Sequence, residues 1–196
     1  MTDERCRPML FNVSMVRAIL DGRKTQTRRI ASLVDGSGGG KCPYGGVGDR
    51  LWVREKWRAE ELETGEDGVR FAADDGFSTI ANSAIGAERW LAAWGGGRHG
   101  TNWRPSIFMP RWASRITLEV VDMNVERLHE ISEDDAKAEG VYPCEHDAWF
   151  GGLKHVSAYG TLWEKINGKV CPWVLNPWVW AVTFKRVPQA EMVTTC

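Results

Sequence analysis

The sequence predicts an α+β fold, a small β-barrel with short flanking helices. Several short stretches alternate with the two-residue period of strands, a few others repeat at helical spacing, and no internal repeat or heptad runs through the chain. Met15, Val16, Ile19 and Leu20 recur on one helical face, with Asn12 or Ser14 as N-cap and Gly22 as the stop. Behind that glycine comes Arg23-Lys24-Thr25-Gln26-Thr27-Arg28-Arg29, four cations and two hydroxyls. If this exit turn keeps helical geometry, Lys24 and Thr27 point the same way. The stretch Gly36-Ser37-Gly38-Gly39-Gly40-Lys41 lacks P-loop spacing and is followed by Cys42, so it reads as a surface loop.

Leu51, Val53 and Trp57 alternate with Trp52, Arg54 and Lys56, which predicts a half-buried strand with one cationic side. Residues 58–79 are acidic and contain glycine, and read as a hairpin or flexible loop. Trp90 and Trp94, four apart among alanines, predict a short helix packed on the barrel and ended by Gly95-Gly96-Gly97. Ile116, Leu118 and Val120 alternate with Arg115, Thr117 and Glu119 as a further strand. Ser132 and Asp135 have capping-box spacing. Tyr159, Leu162, Trp163 and Ile166 make a helical face stopped at Asn167-Gly168. Trp178, Trp180, Val182 and Phe184 alternate with Val179, Ala181 and Thr183, a strand buried on both sides.

A chain of 196 residues suits one well-buried domain rather than two. Its net charge of −1 argues against a general polyanion binder, yet the charge is segregated. Residues 1–30 hold seven Lys/Arg against three acids, whereas 119–147 hold ten acids against two basic residues. One basic face on a neutral protein is therefore allowed. Five scattered cysteines without a Cys-x-x-Cys pair favour reduced thiols in a cytosolic compartment. Cys144, His146 and Cys171 lack a second pair with ligand spacing, so neither metal nor other cofactor is expected. The start of the chain has no apolar signal core, and the longest apolar run, 173–184, is broken by Asn176-Pro177. No export and no membrane span are expected.

Two further segments carry polar chemistry. Glu139 falls in the last turn of the helix begun at Ser132, where a carboxylate faces the negative end of the helix dipole; local physics disfavours it there, which marks a candidate for function. Around Arg104, Arg111, Trp112 and Arg115, arginines interleave with aromatics, the composition of a surface that stacks a base and holds its phosphate. Trp112 and Arg115 are first choices for that role and Arg111 next. The plain alternative is that Trp112 closes one end of the barrel and the arginines are solvated. Eleven tryptophans exceed what core packing needs, so some serve recognition. No histidine has nucleophile-base spacing around it.

Gly-x-Lys-x-x-Thr-x-Arg after a short helix resembles the signature of ASCH domains, small β-barrels related to the PUA fold. Gly48-Asp49-Arg50-Leu51-Trp52-Val53 is similar to the strand after the signature, 116–120 to the next strand, 128–140 to the helix after it and 178–186 to the closing strand. The resemblance implies a single PUA-like ASCH domain over 1–196, with an inserted lobe at about 58–110 where small members have a tight hairpin. Its tryptophan-rich form is similar to ASCH proteins of bacteriophages, which implies the cytoplasm of a bacterial host.

In the ASCH branch that hydrolyses N4-acetylcytidine, the resemblance implies a lysine and a threonine in the signature and a glutamate near the end of the following helix. Lys24, Thr27 and Glu139 fall on those positions. A desolvated lysine beside Arg23, Arg28 and Arg29 gives up its proton readily and can act as base toward the Thr27 hydroxyl. Glu139 would then shuttle a proton to the leaving amine. The first expectation is thus an amidohydrolase acting on an N4-acylated cytidine or related modified nucleoside. Two others stay open: a non-catalytic reader of RNA or modified DNA, in which Lys24 and Arg28 clamp a phosphate and Thr27 caps a turn, and a ribonuclease. The expected partner is a modified nucleoside or single-stranded nucleic acid held by Arg23, Arg28, Arg29, Arg111, Trp112 and Arg115.

Overall fold

The computed structural model describes residues 6–31, 42–94, 102–144 and 152–188. The glycine stretch 36–41, Gly95 to Gly97, His99 and His146 lie outside the described residues. The fold is α+β, as expected. Its elements in chain order are β1 (Cys6–Leu10), α1 (Val13–Leu20), β2 (Gln26–Ile30), β3 (Arg50–Arg54), β4 (Trp57–Glu61), β5 (Asp67–Phe71), β6 (Phe77–Thr79), α2 (Ala84–Trp94), β7 (Thr117–Arg127), α3 (Glu133–Ala138), α4 (Lys154–Asn167) and β8 (Trp178–Arg186). A five-stranded sheet runs in the order β1-β3-β7-β8-β2, and a three-stranded sheet in the order β4-β5-β6. In the larger sheet β1 is parallel to β3 and the other pairs are antiparallel.

Local chemistry sets the ends of α1. The Asn12 side chain accepts from the Met15 amide at 2.9 Å, which caps the first turn. Gly22 takes a left-handed φ of 75° that stops the helix. The apolar face predicted for α1 is buried: Val16 and Ile19 pack with Phe11, Leu51, Leu118, Val182 and Phe184. On another side α4 sets Tyr159 and Trp163 against Leu128, Trp173 and Val179.

Several expectations change. The segment after Gly22 is extended rather than helical: Lys24 forms an isolated bridge and Gln26 begins β2, whose Thr27 lies opposite Val182 and Arg28 opposite Ala181. Of the two readings of residues 58–79 the hairpin holds and the flexible loop does not: β4 and β5 form it and β6 adds a third antiparallel strand, because Trp57, Ala59, Val69 and Phe71 bury one face of the sheet. Helix α2 is present, yet its Ala93, Trp90 and Trp94 pack on that smaller sheet and not on the larger one. Strand β3 ends at Arg54, with Trp57 in the next strand, and Trp52 on its supposedly cationic side is 8% exposed. In place of one helix over 128–140 there are a 3-10 turn, Leu128–Glu130, and the six-residue α3. Among the described residues no helix is long and apolar enough to cross a membrane.

Candidate active site

Three backbone contacts fix the signature segment. The Lys24 amide donates to the Ala18 carbonyl at 2.9 Å, the Thr25 amide to the Ala138 carbonyl at 2.8 Å, and the Phe184 amide to the Thr25 carbonyl at 2.8 Å. The segment is thus held between the ends of α1 and α3 and the edge of β8. Helix α3 starts on the predicted capping box, in which the Ser132 hydroxyl and the Asp135 carboxylate each accept from the other's backbone. It ends at Glu139, and Gly140 turns the chain away with φ 82°. A Cβ at Gly140 would lie 2.8 Å from the Cβ atoms of both Ala18 and Lys24. The missing side chain is what lets the two segments close.

That approach buries the pair on which the site is built. The Lys24 ammonium donates to Glu139 Oε2 at 2.6 Å, to the Gln26 carbonyl at 2.8 Å and to the Glu139 carbonyl at 3.0 Å, so each of its three protons has an acceptor. The two side chains are 0% and 1% exposed. Burial pulls the Lys24 pKa below its ordinary value; Glu139 opposes this, and Arg29 and Arg28 add to it. Next to the pair, Arg28 Nη1 donates to Gln26 Oε1 at 2.5 Å and reaches Glu139 Oε1 at 3.5 Å, and Arg28 Nε donates to Glu126 Oε1 at 2.8 Å. Asp135 Oδ2 lies 3.5 Å from Arg28 Nη2. Two buried cations are therefore matched by three carboxylates.

Thr27 differs from its neighbours. Its hydroxyl is buried and has no hydrogen-bond partner among the described residues. It lines a narrow cleft with Arg28, Arg29, Glu139, Tyr159 and Trp163, whose water-accessible volume is about 10 Å³, near what a single water needs. Burial, reinforced by the Glu139 carboxylate, pushes the Tyr159 phenol well above its ordinary pKa, so it faces Glu139 as a neutral O–H. The wall carrying Tyr159 is positioned by Glu133, whose carboxylate accepts from the His155 and Val156 amides at 2.9 and 3.1 Å and lies 2.7 Å from His155 Nδ1. The first residue of α3 thereby caps α4.

The nine residues singled out in the sequence divide into two groups. Lys24, Thr27, Arg28, Arg29 and Glu139 come together, by strand pairing rather than by the helical spacing expected. Arg23 is close by: it donates to the Gly140 carbonyl at 2.8 Å and its guanidinium lies 4.3 Å from the Tyr142 ring centre. Arg29 donates to the Leu10 carbonyl at 2.8 Å. Arg111, Trp112 and Arg115 do not line the cleft. Trp112 packs edge-on to Trp57 with ring centres 6.4 Å apart, and Arg111 lies 5.7 Å from the Trp52 ring centre. Arg115 is bound on both sides, by Glu55 at 2.9 and 3.0 Å and by Asp74 at 2.7 and 2.8 Å.

Sequence reasoning passed over Tyr159, Glu126 and Asp135. Tyr159 shares a helical period with core residues, and Asp135 is fully explained as a cap, so neither carried a signal of its own. Among solved structures, the chain is similar to an ASCH domain from Lactobacillus crispatus JV V101, with 13% identity and a TM-score of 0.42 over 92% of this chain and 79% of that one. A protein from Enterococcus faecalis V583 is similar at 10% identity and a TM-score of 0.41, over 95% and 82%. No protein-family model matches the chain, and no curated protein matches it in sequence.

Proposed function

We propose that the cleft at Thr27 takes a modified nucleobase and that the chain is an amidohydrolase removing an acyl group from N4-acylated cytidine or a related nucleoside. One observation carries the reading: a buried, unpartnered Thr27 hydroxyl shares a cleft with the carboxylate of a buried Lys24–Glu139 pair. Leaving a buried hydroxyl unsatisfied costs about 1–3 kcal/mol, a cost that a nucleophile held ready for substrate explains.

The pair supplies the remaining groups. Transfer of one proton from the Lys24 ammonium to the Glu139 carboxylate converts the ion pair into an amine and a carboxylic acid, and burial of Lys24 favours its amine form. The amine takes the proton of Thr27 Oγ as the oxygen bonds to the acyl carbon. Glu139 gives its proton to N4 as the carbon–nitrogen bond breaks. Water then attacks the acyl-threonine, its proton going to the Glu139 carboxylate, and Thr27 Oγ recovers a proton from the Lys24 ammonium. Tyr159 faces Glu139 and can donate to the developing oxyanion. As it stands the cleft has room for about one water, so a nucleoside enters only with displacement of α4 side chains such as Ile166, the exposed member of the lining.

The phosphate-clamp reading has less support, since Lys24 and Arg28 are fully buried and already matched by Glu139, Glu126 and Asp135. Thr27 separates the two readings experimentally. Thr27→Val should fold at least as stably as the parent by urea unfolding, because it replaces an unpaired hydroxyl with a methyl group, yet lose deacylation of N4-acetylcytidine by at least a hundredfold. Thr27→Ser should retain most of the rate. Equal activity in the two variants would remove the nucleophile from the proposal.

A further inference from the structure

Helix α2 turns apolar side chains to the surface. Of its eleven residues only Gly86 and Ala93 are buried, and Trp90 and Trp94, half-buried with ring centres 4.6 Å apart, complete the side that rests on the smaller sheet. A Cβ at Gly86 would collide with the Ala81 carbonyl, which fixes how the helix lies. At about 100° per residue, the side opposite these four has Ala84, Glu88 and Ala92 along its midline, with Leu91 on one flank and Ile85 on the other. Ile85 is 62% and Leu91 70% exposed, and the three alanines Ala84, Ala87 and Ala92 are exposed as well. A helix that served this domain alone would turn such a stripe inward.

The outward side reads alike in both directions. About Glu88, Ala84 mirrors Ala92 and Ile85 mirrors Leu91, so a second copy turned end for end about a two-fold axis at Glu88 presents the same pattern. In that arrangement Leu91 of each copy lies over Ala84 of the other, and Ile85 over Ala92. Each large side chain meets a small one, which lets the helices approach closely. Glu88 and Arg89 are the only charges on the helix, both are exposed, and among the described residues neither has an ion-pair partner. The axis brings together two glutamates and two arginines, equal in number and opposite in sign. Antiparallel helices also set each N-terminus beside the other's C-terminus, the favourable order of their dipoles.

We infer that the exposed side of α2 is the contact through which two copies of this chain associate, antiparallel and related by a two-fold axis. Self-complementarity selects this occupant. An unrelated partner needs no pattern that mirrors itself, and a lipid surface is met by an unbroken apolar stripe rather than one with Glu88 at its centre. One helix face from each copy is smaller than a standard protein interface, so the association belongs to the weak, concentration-dependent class. No residue of α2 lines the cleft at Thr27. The self-association and the reaction proposed there can each fail alone.

Sedimentation equilibrium of the full chain across the micromolar range tests the inference. The parent should rise from the 22.0 kDa of one chain toward twice that mass as its concentration increases. Leu91→Asp should weaken association about tenfold or more, and Glu88→Arg and Arg89→Glu should each do the same by leaving only like charges at the axis. An equimolar mixture of the Glu88→Arg and Arg89→Glu chains should regain the association of the parent, because each supplies the sign that the other lacks. All three positions are exposed, so each variant should keep the circular dichroism spectrum of the parent. A parent that stays at 22.0 kDa at the highest concentration would overturn the inference and give the face to a different partner. A Leu91→Asp chain that associates like the parent, or a mixture of the charge variants that stays monomeric, would overturn it too.

Discussion

Replacing Lys24 with methionine is expected to lower the free energy of unfolding by about 3–5 kcal/mol, because it leaves the Glu139 carboxylate buried beside a group that cannot neutralise it. Arg28, at 3.5 Å from Glu139 Oε1, is already committed to Glu126 and does not replace the lost partner. The companion variant Lys24→Met/Glu139→Leu should recover most of that loss, since a buried ion pair and a pair of apolar residues of similar volume often differ little in stability. Urea unfolding of the two single variants and the double variant measures the coupling. A Lys24→Met chain within 1 kcal/mol of the parent would contradict the buried pair.

Gly140→Ala is expected to cost about 2–5 kcal/mol. The left-handed φ of 82° contributes about 1–2 kcal/mol for a residue with a Cβ. The collision with Lys24 and Ala18 contributes about 1–3 kcal/mol as overpacking. Gly22 provides the internal comparison: its φ is 75°, but a Cβ there meets nothing within 4 Å among the described residues. Gly22→Ala should thus lose only the backbone part. If the two variants unfold at the same urea concentration, the close approach of the signature segment to α3 is not what Gly140 protects.

Local signals account for what could be read in the sequence. The N-cap and stop of α1, the capping box of α3, the period of α4 and the alternation of β8 are each set by residues within a few positions of one another. Lys24 and Glu139 are 115 positions apart, and only the antiparallel bridge between them makes a site. The spacing of Lys24 and Thr27 invited a helical reading because the chain before Gly22 is helical; the backbone beyond it pairs with β8 instead. In the stretch 58–79, acids concentrated at the hairpin tip concealed the alternation of Trp57, Ala59, Val69 and Phe71, which was present at strand period. The arginine-aromatic run is legible in the sequence as a cluster, but the partners of its members are not. Arg115 is bound by Glu55 and Asp74, and Trp112 sits on Trp57, whereas Trp103 stands at the surface beside Lys56 and Arg58.

The proposal for the cleft depends on Lys24 giving up a proton, and arginine at that position keeps the charge but cannot do so. Incubating the parent and Lys24→Arg with N4-acetylcytidine, and following release of cytidine and acetate, tests this most directly. The account predicts multiple turnovers by the parent and none by Lys24→Arg, with both chains folded by circular dichroism. A parent that releases no acetate, or a Lys24→Arg chain that turns over at the parent rate, would contradict it.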